Sequence, residues 1–422
     1  MSADPELVGR RQIANGAGAF APTAGAERVV LLDVLRGFAV LGILLMNIQF
    51  FAMVQAAYFN PTVFGAPDAL NYAVFAFGHV FADQKFMTLF TLLYGAGLVL
   101  IGERAEAREL SPTWLVLKRT FWLGVFGAMH AYLIWYGDIL LVYAMSTLFV
   151  LWFRRRSATT QLVVGLLLLS LGSAIYFAAG LSLENWPPAD YTDALSGWAP
   201  GAAEIARETA AYQGDWLDQQ ADRVPHAAEF HTVVFMVWGF WRSAGLMLIG
   251  MALYRWGLLS GRWSARAYRR LLATGLLVGL PVVGFGLLQH HRRGWDFDYS
   301  FFLGIQYNYW GSIAIALGYA GMIALWCQGQ RMQALRARLA AAGRMAFTNY
   351  IGQSVICSLL FYGHGLGWFG HTERWQQLLV VLSVWALALV ASPWWLARFR
   401  FGPLEWLWRS LTYAKWQPLN RA

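Results

Sequence analysis

The feature that most constrains this chain is a series of long apolar segments separated by polar connections. A helix that crosses the hydrocarbon core of a bilayer needs roughly 20 apolar residues at about 1.5 Å rise each. Ten segments approach this requirement: 29–52, 86–102, 115–136, 138–153, 160–182, 231–254, 268–289, 300–326, 342–363 and 376–397. We therefore predict an all-α, polytopic integral membrane protein with about ten transmembrane helices.

Composition supports this class. Hydrophobic residues make up 58% of the chain and charged residues only 13%, which leaves too much apolar surface for an ordinary soluble globule. The net charge of +9 comes from short Lys and Arg clusters beside the apolar segments. Because these clusters do not form one basic domain, they argue against nucleic-acid binding.

Positive charge also tests the helix count, because cytoplasmic loops of membrane proteins carry an excess of Lys and Arg. With ten spans and the N-terminus inside, the basic clusters at 118–119, 154–156, 262–270 and 331–338 fall on one side. The Arg-containing C-terminal tail falls on that side as well. Both termini are therefore predicted to be cytoplasmic.

Spans and connections divide the chain into five parts. These are a disordered cytoplasmic tail, 1–28; a five-helix half, 29–182; an acidic, Trp-rich periplasmic loop, 183–230; a second five-helix half, 231–414; and a short tail, 415–422. The loop either forms amphipathic helices over the outer mouth or is a solvated connection without a role. A further segment, 68–82, is too short to span and is predicted to be an interfacial or re-entrant helix.

Ionisable residues inside a membrane are costly and therefore mark candidate functional sites. The first span contains Asp33 and Arg36 three residues apart, with Asn47 eleven residues beyond Arg36. At about 100° per residue these side chains share a sector of roughly 60°, so they form one polar stripe. Two hypotheses remain for the first two residues: a local ion pair near the cytoplasmic surface, or an anion site built on Arg36.

A second polar group lies in GAMHAYLIWYGDILLVYA, which spans the end of one helix, a tight turn and the start of the next. Taken alone, His130 is most simply interpreted as a buried structural residue. Asp138 is most simply interpreted as a helix N-cap. The hairpin also brings them close, and a carboxylate that orients an imidazole creates a general base. His79, Asp83 and Lys85 form a further outer group. None of these has a helical metal-ligand spacing, so no metal site is predicted.

Six motifs spread over 28–414 resemble the YeiB-like family of bacterial membrane proteins, which carries the domain of unknown function 418. They are LDVLRGFAVLGILLMNI, QKFMTLFTLLYGAG, MHAYLIWYGDILLVYA, MLIGMALYRWGLL, GRMAFTNYIGQS and GPLEWLWRSLTY. The family is similar to a broader superfamily of transmembrane acyltransferases, alongside heparan-alpha-glucosaminide acetyltransferases and acyltransferase family three. The resemblance implies a multi-pass protein of the bacterial cytoplasmic (inner) membrane.

The resemblance also implies a reaction. An acyl group would pass from cytoplasmic acyl-CoA, a co-substrate rather than a tightly bound cofactor, to a hydroxyl or amine of a periplasmic or lipid-linked acceptor. Arg36, Arg344 and Arg119 would hold the anionic carrier at the inner mouth. Further polar residues are assigned to the same carrier site: Asp33, Asn349 and Gln353.

Catalytic roles follow from the same comparison. Acyltransferase family three has an Arg followed eleven positions later by a His, whereas here Arg36 is followed by Asn47, which cannot act as a base. Asn47 is instead expected to donate a hydrogen bond to the thioester oxygen. His130, oriented by Asp138 or by Asp83, would deprotonate the acceptor or carry the acyl group itself as a covalent relay.

Two other classes of function fit the sequence. A small-molecule transporter or exporter also needs many helices and polar intramembrane residues, although no internal repeat is visible. A non-catalytic membrane partner of an envelope assembly could use the acidic outer loop. The expected partners are the lipid bilayer, acyl-CoA and the acceptor, without nucleic acid, and the sequence is compatible with a homo-oligomer.

Overall fold

A computed structural model describes residues 30–421. Helices dominate these residues, and the one β-type contact among them is an isolated antiparallel bridge between Phe399 and Asn420. The predicted all-α class is therefore confirmed. The tail predicted for 1–28 lies outside the described residues.

The α-helices are numbered in chain order. They are α1 Val30–Ala52, α2 Ala56–Phe59, α3 Ala69–Phe81, α4 Lys85–Glu106, α5 Pro112–Leu133, α6 Leu140–Val150, α7 Ala158–Leu181, α8 Pro188–Trp198, α9 Ala202–Gln213, α10 Trp216–Glu229, α11 Phe240–Arg255, α12 Ala265–Arg292, α13 Ile305–Gln328, α14 Gln333–Arg344, α15 Ala346–Phe361, α16 Arg374–Arg398 and α17 Pro403–Tyr413. Two π-helices interrupt the α-helical pattern, Phe230–Gly239 before α11 and Asp298–Gly304 before α13.

Seven helical stretches within the described residues are long and apolar enough to cross a membrane. They comprise α1, α3 with α4, α7, α10 with α11, α12, α13 with its π-helix, and α16. The shorter apolar helices α6 and α15, together with α5, account for the other predicted spans. All ten predicted segments are thus helical, and the helix predicted within 68–82 is α3. The number of helices that cross the bilayer stays a prediction.

Burial separates central from peripheral helices. In the apolar window of α1, 78% of residues are buried, whereas the windows of α7, α12 and α16 are only 22% buried. Since many exposed side chains of these outer helices are large and apolar, their free faces fit a lipid environment rather than water. The core therefore sits around α1.

Glycines allow the central helices to pack backbone to backbone. A Cβ atom on Gly343 of α14 would lie 1.8 Å from the carbonyl oxygen of Asp33 in α1. A Cβ on Gly95 of α4 would lie 2.0 Å from the carbonyl oxygen of Met247 in α11. Small residues at such crossings are typical of packed membrane helices. Because both contacts join the two predicted halves of the chain, the halves share one core.

The segment predicted as an acidic loop, 183–230, forms α8, α9 and α10. Of the two alternatives for this segment, the structure therefore shows helices over the bundle and not a solvated connection. The indole Nε1 of Trp216 and a guanidinium nitrogen of Arg223 donate to the carbonyl oxygen of Leu133, at 2.9 and 3.1 Å. A carboxylate oxygen of Glu208 accepts from the backbone N–H of Gln55 at 2.8 Å. We call α8–α10 the cap, and the bundle end that they cover the capped end.

Candidate functional site

A cavity of about 320 Å³ opens at the bundle end opposite the cap, which we call the Arg-rich end. Its walls include six arginines: Arg36, Arg104, Arg108, Arg119, Arg344 and Arg409. Among residues 30–421, only two carboxylates, Asp33 and Glu405, line the same space, so positive charges exceed negative ones by four there. Such a concentration of cations attracts an anionic ligand with several charges.

The cavity is apolar and aromatic away from the arginines. Phe90 and Leu93 line it from α4, Leu140 and Tyr143 from α6, and Tyr350 from α15. Phe90 lies fourteen residues before Arg104 on the same helix, a separation of about 21 Å along the axis. The cavity therefore suits an amphiphilic ligand whose charged part faces the Arg-rich end.

Asp33 and Arg36 form the local ion pair that the sequence allowed, while the anion site built on Arg36 stays a prediction. Their side chains approach to 3.7 Å, and both line the cavity. The Arg36 side chain is 30% exposed, so it is reachable from the cavity while it pairs with Asp33. The close packing of Gly343 against Asp33 brings the next residue, Arg344, into the same wall.

The helix α17 closes one side of the cavity. The Arg119 guanidinium lies 4.0 Å above the ring of Trp408, whose indole Nε1 donates to the carbonyl oxygen of Arg119 at 3.0 Å. Arg409 lies similarly over Phe401, at 4.7 Å. These stacked arginines keep their charge beside aromatic faces, as guanidinium groups commonly do.

Glu405 connects α17 to α15. Its carboxylate faces the start of α15. It accepts from the backbone N–H groups of Phe347 and Thr348, at 2.8 and 3.1 Å, and from the Thr348 hydroxyl at 2.6 Å. Burial raises the pKa of the Glu405 carboxyl above its ordinary range. The carboxylate thus caps a helix N-terminus and attaches α17 to the bundle.

His130 and Asp138 lie in contact in the hairpin between α5 and α6. His130 Nδ1 is 2.8 Å from one carboxylate oxygen of Asp138, and both side chains are buried. The other carboxylate oxygen accepts from the backbone N–H of Leu141 at 2.7 Å, so Asp138 also caps α6. Gly127 permits this approach, since a Cβ there would lie 2.4 Å from the Leu141 nitrogen.

The His130–Asp138 contact fixes the imidazole tautomer. Because an ionised carboxylate only accepts hydrogen bonds, a neutral imidazole beside it carries its proton on Nδ1 and keeps the lone pair of Nε2. Nε2 is buried and has no hydrogen-bond partner among the described residues. This is the arrangement of an oriented general base or nucleophile.

Tyr350 separates this pair from the cavity. Its ring lies 5.2 Å from the His130 ring, and its hydroxyl accepts from the backbone N–H of Ile139 at 3.3 Å. Tyr350 lines the cavity, whereas His130 and Asp138 do not. The candidate site therefore consists of a cationic cavity, a His–Asp pair, and one tyrosine between them.

Several residues assigned from the sequence lie elsewhere. Asn349 donates to the Ala342 carbonyl oxygen and to the Ser392 hydroxyl, at 3.0 and 3.1 Å, and neither it nor Gln353 lines the cavity. Asn47 is likewise absent from the cavity wall. These three residues would not contact a ligand in the cavity, so the structure does not support their predicted roles.

Asp83 is not the partner of His130. Its carboxylate is bonded to Tyr58 and Asn308, whereas Asp138 occupies the position beside His130. Conversely, sequence reasoning missed the cavity residues Arg104 and Arg108. Arg104 lies in the last turn of α4 and Arg108 lies two residues beyond its end, so a pair of arginines directly after an apolar segment is the signal that could have identified them.

Comparison with known proteins places this architecture in a family. The chain is 35% identical over 394 residues to the uncharacterized protein YeiB of Escherichia coli strain K12, covering 92% of this chain and 96% of that protein. The chain belongs to the YeiB-like family. The model of the family described as protein of unknown function DUF418 matches residues 253–415, which include α14, α15 and α17 of the cavity wall.

Further members are similar over nearly their whole length. Identity to the uncharacterized protein YxaH of Bacillus subtilis strain 168 is 29% over 423 residues, covering 95% of this chain and 98% of that protein. Identity to an uncharacterized 39.9 kDa protein from the amylase 3′ region of Bacillus acidopullulyticus is 28%, covering 94% and 97%. No solved structure matches the chain significantly.

Proposed function

We propose that the protein is a membrane-embedded acyltransferase. In this proposal it belongs to the wider acyltransferase superfamily and lies in the bacterial cytoplasmic membrane with its Arg-rich end inside. It takes an acyl group from acyl-CoA and delivers it to an acceptor hydroxyl or amine toward the capped end. The observation that carries the proposal is a cavity with six arginines that ends at Tyr350, directly beside an oriented His–Asp pair.

The two parts of the cavity suit the two parts of acyl-CoA. Phosphate groups would bind the guanidinium groups at the Arg-rich end, where Arg can present paired donors to phosphate oxygens. The acyl chain would enter the apolar part, where burial stabilises about 0.8 kcal/mol per CH₂ group. The thioester would then lie between them, near Tyr350.

The His–Asp pair would supply the proton chemistry. His130 Nε2 accepts the proton of the acceptor, whose oxygen or nitrogen attacks the thioester carbon, and the carbon–sulfur bond breaks. The CoA thiolate leaves and takes up that proton. Alternatively, Nε2 attacks the thioester carbon, the carbon–sulfur bond breaks and the CoA thiolate leaves. The acceptor then attacks the acyl carbon, the bond from this carbon to Nε2 breaks, and the acceptor's proton passes to the thiolate. In both routes Tyr350 must move, because it separates His130 from the cavity.

A transporter is the second candidate. The observation that favours it is the break between α3 and α4, which places Asp83 and Lys85 inside an otherwise continuous apolar helical stretch. Interrupted helices with charged residues form substrate or ion sites in many transporters.

The test is binding of acetyl-CoA to the purified full-length protein in detergent micelles. Arg344→Met removes one cavity cation, and we expect at least tenfold weaker binding, since hydrogen bonds to charged groups contribute about 1.5–3 kcal/mol. Arg338→Met is the matched control, because Arg338 lies on the same helix but donates to the Leu389 carbonyl oxygen outside the cavity. No binding by the unmodified protein, or equal losses in both variants, would contradict the proposal.

A further inference from the structure

A second polar cluster is buried where three irregular helical segments meet. The break between α3 and α4 includes Gln84, whose φ is 61°, and π-helices precede α11 and α13. Directly after these irregular segments, the first turns of α4, α11 and α13 contain Lys85, Arg242 and Asn308, respectively. None of the three lines the cavity. Departures from α-helical geometry in membrane helices often build functional sites.

Asn308 bridges a lysine and a carboxylate in this cluster. Lys85 Nζ donates to the Asn308 side-chain oxygen at 2.5 Å and to the carbonyl oxygen of His79 at 2.6 Å. The Asn308 amide nitrogen donates to one oxygen of Asp83 at 2.5 Å, and the Tyr58 hydroxyl donates to the other. The amide therefore connects Lys85 to Asp83 through two hydrogen bonds.

The cluster contains more positive than negative charge. Lys85 and Arg242 are both fully buried, and Asp83 is the one carboxylate hydrogen-bonded within the cluster. The partners of the Arg242 guanidinium are neutral: the Tyr309 carbonyl oxygen at 2.9 Å, the Thr88 hydroxyl at 2.9 Å and the Ser312 hydroxyl at 2.8 Å. One unbalanced buried charge costs several kcal/mol.

If Lys85 lost a proton, the positive and negative charges of the cluster would be equal, and its hydrogen bonds would remain. An ammonium group has three N–H donors and a neutral amine has two, while Lys85 makes two hydrogen bonds. Both bonds can therefore persist after the proton leaves. Arg242 cannot take this role, because a guanidinium stays protonated in proteins.

The partly exposed side chains of His79 and Asp83 provide the proposed route from Lys85 to water. The side chains of His79 and Asp83 are 15% and 19% exposed, and His79 Nδ1 lies 3.8 Å from an Asp83 oxygen. The ring of His290 packs 6.1 Å from that of His79 on the buried side. Lys85 lies nineteen residues from Arg104 along α4, about 28 Å, so this route is remote from the Arg-rich end.

We propose that Lys85 is a proton-exchange site served by Asp83 and His79. The Lys85 ammonium releases one proton, which passes to water through this pair, and the neutral amine takes up a proton by the reverse path. No other bond changes, and no electron moves. Tyr58, Arg242 and His290 are the remaining titratable or charged groups that face the cluster from neighbouring elements. The site would link the conformation of the break to pH, independently of acyl transfer.

The chain itself provides a direct test, because its sequence contains only three lysines: Lys85, Lys118 and Lys415. Selective ¹³C or ¹⁵N lysine labelling of the full-length protein should give three resolvable side-chain NMR signals. Lys118→Arg and Lys415→Arg variants assign the remaining signal to Lys85. We expect this signal to shift at a lower pH than the signals of Lys118 and Lys415.

Two results would overturn the proposal. If the Lys85 signal titrates together with the other two, the cluster is a permanently charged structural element. If the signal does not change over the accessible pH range, Lys85 exchanges no proton. As a second measurement, the unfolding temperature of the unmodified protein relative to Lys85→Arg should change between pH 6 and 9, whereas the difference to Lys118→Arg should stay constant.

Discussion

Asp138→Asn tests the His–Asp pair with the smallest possible change in shape. The carboxylate accepts from both His130 Nδ1 and the Leu141 N–H group. An amide can keep the second bond through its oxygen, so α6 remains capped. Its nitrogen then faces Nδ1 and must donate to it, which moves the imidazole proton to Nε2. The lone pair that would accept the proton of the acceptor is lost.

The expected size of the effect follows from general-base catalysis, which contributes typically about 10²–10⁴-fold, or roughly 3–5 kcal/mol of barrier. Asp138→Asn should therefore reduce acyl transfer by about that factor. Affinity for acetyl-CoA should stay within about twofold, because Asp138 does not line the cavity. The assay is release of free CoA from acetyl-CoA, with binding and the unfolding temperature measured on the same preparation. Turnover within about threefold of the unmodified protein would refute the assigned role.

Other consequences of the structure concern stability. Gly343→Ala should destabilise the protein by at least about 1–3 kcal/mol in thermal unfolding, because the new Cβ meets the Asp33 backbone. The control is Gly352→Ala, where nothing lies within 4 Å of the new Cβ, and it should be neutral or stabilising. Glu405→Ala should lower the unfolding temperature more than Glu405→Gln, which keeps an acceptor for the α15 N-terminus. Burial raises the pKa of Glu208 from 4.5 to about 7.

The raised pKa of Glu208 determines the direction in which stability changes with pH. A carboxyl with a raised pKa in the folded state contributes stability that is present below about pH 4.5 and is lost as pH rises through about 7. The loss is at most about 3 kcal/mol. Proteolysis of the cap should therefore be faster at pH 8 than at pH 5, and Glu208→Gln should reduce this difference. Asp222, His226 and Arg207 lie nearby and are present in both proteins, so an unchanged pH dependence would exclude Glu208.

Hydrophobic periodicity and charge were sufficient to predict the helices, because membrane helices must satisfy their own backbone hydrogen bonds. They separated the segment 68–82 from the span that begins at 86, but they could not predict the left-handed backbone of Gln84 or the π-helices, since these depend on buried contacts such as those of Lys85 and Arg242. The tight hairpin made the His130–Asp138 contact foreseeable from spacing alone. Spacing could not show that Asn349 turns toward α14 and α16, because helix rotation is set by packing.

The most direct measurement of the central claim is CoA release from acetyl-CoA by the purified protein, compared with that of His130→Gln. The proposal predicts acetyl-CoA binding by both proteins and CoA release reduced by about 10²–10⁴-fold in the variant. Equal release by both proteins would remove His130 from the reaction. Binding without release by either protein, in the presence of varied hydroxyl and amine acceptors, would contradict acyl transfer and favour the transporter.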